Sequence, residues 1–265
     1  MTSIARFVGP IPELYDRHMG PVLFEPYAED IAARLPKTAK RVLEIAAGTG
    51  RVTRHLLAAL PPDGQLVATD LNEPMLVRAQ TVISDPRVTW QTADMLALPY
   101  PDGSFDAVVC QFGLMFVPDK VQALREMKRV LVAGGTLLLS VWDSLAHNPA
   151  SQQLHHLAYG LMADNPPTFM ATPFSMHDTA ALRVMADEAG FRAVNIETVA
   201  TTGTAESAKH LATGFVRGNP LWLQLLERNL DGDAFEAQIA AALATEFGES
   251  PCKTPLSAHV LTATA

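Results

Sequence analysis

Residues 42–50 read Val-Leu-Glu-Ile-Ala-Ala-Gly-Thr-Gly, a short apolar run that carries one acid and then breaks into glycine. The apolar part predicts a buried strand, and the segment from Arg51 to Leu60 is typical of a helix. A strand, a tight glycine turn and a helix N-terminus together expose backbone N–H groups at the positive end of the helix dipole. This arrangement predicts a site for the anionic end of a nucleotide-like ligand.

Two kinds of ligand compete for this loop. A dinucleotide loop reads G-x-G-x-x-G, whereas Gly48-Thr49-Gly50 is followed by three residues without a glycine. Glu44 stands before the loop, where a carboxylate would repel a pyrophosphate but could pair with an ammonium group. S-adenosylmethionine carries an amino group, a sulfonium and a carboxylate, and it has no phosphate. The acid before the loop therefore favours S-adenosylmethionine.

Further acids stand at the ends of the next predicted strands. The strand 66–70 ends in Asp70, about twenty residues after the loop, which is the spacing of a carboxylate that binds ribose hydroxyls. The strand 88–92 is followed by Asp94 and Met95, which could accept from an adenine amino group and pack on its ring. Open α/β sheets bind ligands outside the carboxyl ends of their strands. Together these acids predict one cofactor site.

Strand and helix patterns alternate from 41 to 142, which indicates a parallel sheet with helices on both faces. The helix after Pro118 is predicted to stop at Gly134-Gly135, with the fifth strand at 136–142. Further strands are predicted over 191–200 and near 256–263. The sequence therefore predicts an α/β fold.

These motifs resemble the class I S-adenosylmethionine-dependent methyltransferases, in particular the small-molecule enzymes related to ubiquinone and menaquinone biosynthesis. The resemblance rests on residues 42–50, 67–76, 92–116 and 124–142. It implies a Rossmann-like, doubly wound, seven-stranded and mostly parallel sheet, whose antiparallel last strand lies between the fifth and sixth. It also implies methyl transfer to a small-molecule acceptor, with S-adenosyl-L-methionine as cofactor and S-adenosyl-L-homocysteine as product.

The resemblance also assigns residues to the cofactor. The implied set is Glu44, Ala46, Gly48, Thr49, Gly50, Asp70, Leu71, Met75, Asp94, Met95, Gln111 and Phe112. Glu44 and the loop backbone would hold the amino-acid end, and Asp70 the ribose. Gln111 and Phe112 would line the methyl-donor end. The family's usual first loop glycine is Ala46 here, which slightly crowds the methionine part of the cofactor.

The outer segments predict a cap and a lid around the core. Residues 1–40 form a predicted N-terminal helical cap, and 41–200 with 254–265 form the predicted cofactor-binding core. Insertions at 143–180 and 204–253 are predicted to build the acceptor pocket. Their apolar residues are Met162, Phe169, Met170, Phe174, Met176, Phe215 and Trp222. This lining favours an apolar or aromatic acceptor, although the same residues could simply pack the insertions onto the sheet.

Positioning supplies most of the acceleration that methyl transfer requires, and a general base is needed only when the acceptor is a hydroxyl or an acidic carbon. Histidine suits that task near neutral pH, and His18, His147 and His177 are the candidates. A merely hydrogen-bonded histidine is the alternative for each. His18 and Tyr15 are preferred as catalytic residues, since the N-terminal helix often closes over the cofactor in relatives. His155-His156 lacks further ligands at metal spacing, so no metal is predicted.

Composition narrows the class of protein. Hydrophobic residues make up 48% of the chain and charged ones 18%, and the net charge is −8. Nucleic-acid binding depends on phosphate neutralisation, so a nucleic-acid partner is disfavoured. No apolar run reaches the roughly 20 residues of a membrane span, and the first 20 residues lack a signal-peptide pattern, which favours a cytoplasmic location. Cys110 is expected to be buried and inert. The oligomeric state stays open, with a homodimer among the options.

Two other functions remain open at this stage. A nicotinamide-dependent oxidoreductase would need the three-glycine loop and a Tyr-x-x-x-Lys or similar catalytic pair, and the sequence contains neither. A non-catalytic cofactor-binding module on the same fold would keep the loop without the reaction, because fold does not fix function. The acids at 44, 70 and 94 argue against decay of the cofactor site.

Overall fold

A computed structural model describes residues 7–265, apart from the side chains of Thr168 and Phe169. Seven strands form one sheet in the order β3-β2-β1-β4-β5-β7-β6. They are β1 Arg41–Ile45, β2 Gln65–Asp70, β3 Val88–Thr92, β4 Phe105–Gln111, β5 Leu131–Trp142, β6 Arg192–Ala205 and β7 Cys252–Thr264. The pairs among β1 to β5 are parallel, and β7 runs antiparallel to β5. The predicted fold is therefore confirmed, including the antiparallel last strand between the fifth and sixth.

Ten α-helices lie in the part of the chain that the structure describes. They are α1 Ile11–Leu14, α2 Glu25–Ala33, α3 Arg51–Ala59, α4 Glu73–Val82, α5 Lys120–Val130, α6 Pro149–Leu161, α7 Thr179–Glu188, α8 Ala208–Arg217, α9 Leu221–Glu227 and α10 Gly232–Phe247. A π-helical segment, Tyr15–Phe24, joins α1 to α2, and short 3₁₀ turns cover Leu114–Phe116, Leu145–His147 and Thr168–Phe174. Within residues 7–265, none of these helices is long and apolar enough to cross a membrane.

The end of the fifth helix was predicted wrongly. Helix α5 ends at Val130 rather than at Gly134-Gly135, and β5 starts directly after it at Leu131. The two glycines instead lie within an irregularity of the β4–β5 pairing, which moves from Leu131 opposite Phe105 to Thr136 opposite Ala107. Gly134 takes a φ of 79° there, in the left-handed region that glycine enters without a steric penalty. The glycine signal marked a bulge in a strand and not a helix end.

The chain divides into two compact units, each made of three segments. The sheet unit comprises Tyr27–Asp143, Met176–Val199 and Ala258–Ala265. The helical unit comprises Ser144–Ser175, Ala200–Ser257 and the described residues up to Pro26.

The core of the sheet unit explains why residues 42–50 control the fold. Val42 is fully buried and pairs with Leu66 on one side and Ala107 on the other. One cluster of buried side chains joins β1 to residues of α2 and α3, among them Ile31 and Leu56. Burying side chains of this size stabilises the fold by about 1.5–3 kcal/mol each. An apolar run that is buried on both faces can form only a central strand, and this fixes the position of the loop that follows it.

The helical unit is held together by packing between helices. Helix α8 packs along α10 and against the π-helical segment, and Phe215 on α8 is 2% exposed. Asn148 adds a polar contact: its side-chain amide donates to the Ser257 carbonyl at 3.0 Å and accepts from the Ser257 N–H at 3.1 Å. Both residues are buried, so these hydrogen bonds satisfy groups that water does not reach.

Candidate functional site

The loop after β1 bends through the left-handed region three times. Ala46, Gly48 and Gly50 have φ angles of 56°, 56° and 85°. Gly50 is the N-cap residue of α3, and a Cβ there would lie 2.5 Å from Cδ1 of Ile83, so the site has no space for a side chain. The loop thus brings the backbone to the N-terminus of α3, where free N–H groups favour anionic ligands.

Glu44 is a buried acid below this loop, with 1% of its surface exposed. The Thr53 hydroxyl donates to its Oε2 atom at 2.6 Å, and the Thr53 N–H donates to the same carboxylate. Burial raises the pKa of Glu44 to about 8, because the charged form loses its hydration. The carboxyl group is therefore mostly protonated at pH 7 without a cation, and a nearby ammonium group would ionise it.

Asp70 connects the loop after β1 to the loop after β2. Its Oδ2 atom accepts from the Gly48 N–H at 2.9 Å, and its Oδ1 atom accepts from the Asn72 N–H at 2.8 Å. Burial raises the pKa of the Asp70 carboxyl group, while these hydrogen bonds oppose that shift. The Asn72 side-chain amide, 3.4 Å from Oδ1, and the Leu71 N–H also donate to this carboxylate. Because a carboxylate accepts up to about four hydrogen bonds, a ribose hydroxyl would replace one of these two donors.

The residues predicted for the adenine end differ in exposure. Asp94 is exposed, and its Oδ1 atom accepts from the Leu96 N–H at 2.9 Å. Leu71 is 49% exposed directly after Asp70. Met75 is buried instead, with its methyl group 3.7 Å from where a Cβ at Gly48 would lie. Leu71 thus leaves an apolar side chain exposed after β2, whereas Met75 supports the loop after β1.

An aromatic cluster lies at the carboxyl ends of β4 and β5. The ring of Phe112 stacks on that of Trp142 with centroids 3.9 Å apart and an interplanar angle of 2°. Tyr27 meets both rings edge-on at 5.4 Å. Gln111, the residue before Phe112, is buried at the end of β4. We call Tyr27, Phe112 and Trp142 the aromatic platform; the sequence analysis identified only Phe112 of these three.

A buried polar pair follows the platform at the end of β5. The Nε2 atom of His259 lies 3.4 Å from Oδ1 of Asp143 and 3.0 Å from the His177 carbonyl oxygen. Its Nδ1 atom lies 3.0 Å from the Thr198 hydroxyl. Neither member of this pair was predicted from the sequence. Asp143 carries the signal used for Asp70, an acid directly after a buried strand, whereas nothing in the apolar pattern around His259 indicates a partner.

The residues predicted to be catalytic, His18 and Tyr15, belong to the helical unit. The His18 ring lies 4.2 Å from that of His210, and its Nδ1 atom is buried without a hydrogen-bond partner among the described residues. Burial, followed by the charges of His210 and Arg17, lowers the pKa of His18. His18 is therefore neutral at pH 7, as a general base requires. Tyr15 stacks on Phe24 with centroids 4.9 Å apart.

The other predicted residues take varied positions. His147 and His177 are exposed, and the carbonyl of His177 contacts His259 as described. Among the predicted pocket residues, Met162, Met170, Met176 and Phe215 are buried, whereas Phe174 and Trp222 are partly exposed. The side chain of Phe169 lies outside the described residues. Cys110 is fully buried, and burial raises the pKa of its thiol to about 12, so the thiol is inert.

Comparisons with known proteins identify relatives of this chain. Residues 42–135 match a family model described as a methyltransferase domain. The chain is 33% identical over 169 residues to the ubiquinone/menaquinone biosynthesis C-methyltransferase UbiE of Pseudomonas aeruginosa strain LESB58, covering 58% of this chain and 66% of that protein. It is 32% identical over 168 residues to the protein of the same name from Salmonella arizonae, covering 58% of this chain and 67% of that protein. The chain spans about two thirds of the length of these curated relatives.

Solved structures share the fold. The phosphoethanolamine N-methyltransferase 2 of Haemonchus contortus, solved with phosphomonomethylethanolamine and S-adenosylhomocysteine, superposes with a TM-score of 0.61 at 16% identity. The match covers 96% of this chain and 56% of that one. The predicted family, enzyme class and cofactor are confirmed by the family model and the relatives: this chain belongs to the class I S-adenosylmethionine-dependent methyltransferases.

Proposed function

We propose that this protein transfers the methyl group of S-adenosylmethionine to a small acceptor of apolar or aromatic character. The observation that carries the proposal is the aromatic platform at the carboxyl ends of β4 and β5, whose buried rings pack on one another and would form the wall behind the acceptor. Glu44 lies on β1, which pairs with β4, and Asp70 ends β2, which pairs with β1. Both acids therefore lie at the same edge of the sheet as the platform. Stacked rings favour a flat or apolar partner, and a net charge of −8 favours a small molecule over a nucleic acid.

The residues of the sheet unit fit the cofactor. Glu44 is buried with a raised pKa, so it would gain a favourable ion pair from an amino group. Asp70 is fixed by two backbone N–H groups and would receive the ribose. Leu71 and Asp94 are exposed, and they would cover the adenine ring and bind its amino group.

When bound, S-adenosylmethionine supplies a methyl group activated by its sulfonium, which a nucleophile displaces in line. The residues of the chain would therefore contribute mainly orientation, worth up to ~7–11 kcal/mol in well-aligned cases. Phe112 and Trp142 would orient the acceptor and exclude water from it. Gln111 would line the donor end.

A hydroxyl or carbon acceptor also has to lose a proton, and two groups could receive it. His18 is the base predicted from the sequence, and its lowered pKa supports the neutral form. Asp143 is a second candidate because it follows Trp142 of the platform, with His259 3.4 Å away to stabilise its charge. We propose that one of these two groups takes the proton when the acceptor has an acidic hydrogen.

The cap at 1–40 and the insertions at 143–180 and 204–253 are proposed to recognise the acceptor. Phe174 is partly exposed in a 3₁₀ turn of the helical unit, so its replacement tests this role. Phe174→Ala should raise KM for the acceptor and leave the affinity for S-adenosylhomocysteine unchanged. Equal KM values for both proteins would remove Phe174 from the pocket.

The experiment that tests the function starts with the cofactor. Calorimetric titration should show micromolar binding of S-adenosylhomocysteine and none of NAD. Transfer from radiolabelled S-adenosylmethionine is then measured on a panel of quinols, phenols and phenolic acids, because the relatives' names place them in ubiquinone and menaquinone biosynthesis. Binding without transfer to any acceptor would favour the non-catalytic module, and NAD binding would favour the oxidoreductase.

The two candidate bases are separated with the best acceptor of that panel. Asp143→Asn and His18→Gln are compared by kcat as a function of pH, and loss of a general base costs typically 10²–10⁴-fold. The variant that lacks the base should lose the acidic limb of the pH profile. If both variants keep that limb and their kcat, the reaction uses neither group.

A further inference from the structure

Glycine and alanine stand at unexpected positions in the two loops nearest the cofactor residues. Ala46 has a φ of 56°, in the left-handed region that costs an L-residue about 1 kcal/mol and suits glycine. Gly113 has a φ of −102° and a ψ of −38°, which any residue adopts. Backbone conformation therefore favours glycine at position 46, where alanine stands, and does not require it at 113, where glycine stands.

Space explains the glycine at 113. A Cβ at Gly113 would lie 2.5 Å from the Cβ of Ala46 and 2.9 Å from the Sγ of Cys110. Two carbon atoms make their best contact at about 3.5–4.0 Å, so any side chain at 113 collides with the methyl group of Ala46. The missing side chain at one position makes room for the methyl group at the other.

Each of the two loops that meet at this contact carries a strained residue. Phe112, the residue before Gly113, also has a left-handed φ of 53°, which is rare for a bulky side chain. Its N–H donates to the Ser140 carbonyl at 3.0 Å and its ring stacks on Trp142. Strained backbone of this kind persists only where the surroundings hold it in place, and it is concentrated at functional sites. Ala46 and Phe112 thus hold similar strain on either side of one contact.

We propose that Ala46 and Gly113 form a matched pair of positioning residues, which sets the cofactor loop after β1 against the loop after β4 that carries Gln111 and Phe112. The proposal rests on the proposed function through its readout, the binding of S-adenosylhomocysteine. Met95, predicted to pack on adenine, has its methyl group 3.6 Å from the Cβ position at Gly113. A side chain at 113 would therefore displace Ala46 at the amino-acid end of the site, whereas it would meet Met95 only at normal van der Waals distance.

A purely structural contact predicts a different result. If the pair only packed the core, collisions at 113 would lower the free energy of unfolding but leave the affinity of the folded protein unchanged. If the pair positions the loops, the folded protein itself binds the cofactor less tightly. Binding is therefore measured at a temperature where every variant is fully folded by circular dichroism.

A double-mutant cycle tests the pair. Gly113→Ala should weaken S-adenosylhomocysteine binding by about tenfold or more, the equivalent of the ~1–3 kcal/mol that overpacking costs. Ala46→Gly should stay within about threefold of wild type, because the lost contact and the relieved strain oppose each other. The double variant A46G/G113A should recover most of the loss, since only the Cys110 sulfur still has to turn away.

Gly160→Ala is the matched control, because a Cβ at Gly160 meets nothing within 4 Å; its affinity should equal that of wild type. A double variant that binds as weakly as Gly113→Ala would overturn the proposal, as would a Gly113→Ala variant that binds like wild type.

If wild type itself does not bind S-adenosylhomocysteine, the proposed function fails. The cycle is then measured by chemical denaturation, where additive effects would overturn the pairing of Ala46 with Gly113 and non-additive effects would support it.

Discussion

The sheet unit and the helical unit hold their polar groups by different means. At the carboxyl edge of the sheet, main-chain N–H groups fix the acids: Gly48 and Asn72 donate to Asp70, and Leu96 donates to Asp94. These donors belong to the loops themselves. The geometry of the acids therefore follows directly from the strand–loop–helix pattern, and that pattern is visible in sequence.

Between the helices of the helical unit, side chains bind side chains. Arg217 on α8 is ion-paired with Glu236 and Asp233 of α10 and lies 4.3 Å from the Trp222 ring centroid. Such pairs depend on which residues meet across helices, and no local pattern predicts them. A site held by main-chain donors therefore follows from a local sequence motif, whereas a region held by side-chain pairs depends on which residues of different helices meet.

The largest expected effect breaks the main-chain arrangement. Asp70→Asn replaces one acceptor oxygen by an NH₂ group, which cannot accept from the loop N–H groups, and it removes the charge. Hydrogen bonds to charged groups contribute about 1.5–3 kcal/mol each, so S-adenosylhomocysteine should bind about 100-fold more weakly in calorimetry. Asp63→Asn is the control, because Asp63 is an exposed surface acid that pairs with Lys40. Equal affinities in both variants would show that Asp70 does not hold the site.

The second effect concerns the buried acid. The pKa of Glu44 is raised to about 8 by burial, so binding an ammonium group at Glu44 must first ionise it. Affinity for S-adenosylhomocysteine should rise by about tenfold between pH 6 and pH 7, and the Glu44→Gln variant should lose this dependence. A flat pH profile for wild type would show that Glu44 supports α3 through Thr53 without pairing with the cofactor.

The same pKa shift predicts how the cofactor-free protein responds to pH. The folded-state pKa lies above the ordinary value of 4.5, so folding favours the protonated form. The stabilisation is fully present below about pH 4.5 and is lost as pH rises through about 8. Chemical denaturation of wild type and Glu44→Gln across this range should show the wild type losing stability relative to the variant. A constant difference between the two would contradict the shift.

A moderate effect is expected in the helical unit. Arg217→Met keeps the apolar stem but removes the ion pairs with Glu236 and Asp233. It should lower the free energy of unfolding by about 2 kcal/mol, since the mostly buried Glu236 loses its charge-assisted bond, whereas the exposed Asp233 contributes little. S-adenosylhomocysteine affinity should not change. A weakened affinity would show that the ion pairs of the helical unit also affect cofactor binding.

The smallest effect is expected at the surface of the sheet unit. Lys40 and Asp63 form an ion pair with more than half of each side chain exposed, and such pairs contribute little. Lys40→Met should leave the denaturation midpoint unchanged within error. The Lys40 backbone N–H, which donates to Asp106 at 2.9 Å, remains in that variant. A measurable loss would mean that surface side chains also hold the sheet unit.

Sequence patterns predicted the sheet because its central strands are apolar on both faces and their loops carry glycine and acids. They failed where one signal has two meanings. Gly134-Gly135 could end a helix or form a bulge, and only the pairing of β5 with β4 and β7 decides. The last two strands, β6 and β7, also run longer than predicted. Hydrogen bonding to a neighbouring strand extends each of them past its apolar pattern.

The residues of the candidate site also differ in whether the sequence could predict them. Glu44 and Gly48 were identifiable because they belong to one contiguous motif. The Asp143–His259 pair spans 116 positions of sequence and joins the residue after β5 to the interior of β7, so single-sequence patterns contain no link between them. The Ala46–Gly113 contact is of the same kind: the alanine looked like a small defect in the motif until its distant partner was known.

The division of the chain into interleaved segments has a consequence for synthesis on the ribosome. The π-helical segment Tyr15–Phe24 packs on α8, and His18 contacts His210, 192 residues later. At roughly 5–20 residues per second, that partner is made on the order of ten to forty seconds after the first helices. Until then the early helices lack their packing contacts with α8, so folding of the helical unit is delayed until late in translation. Contacts this distant in sequence also slow folding in general.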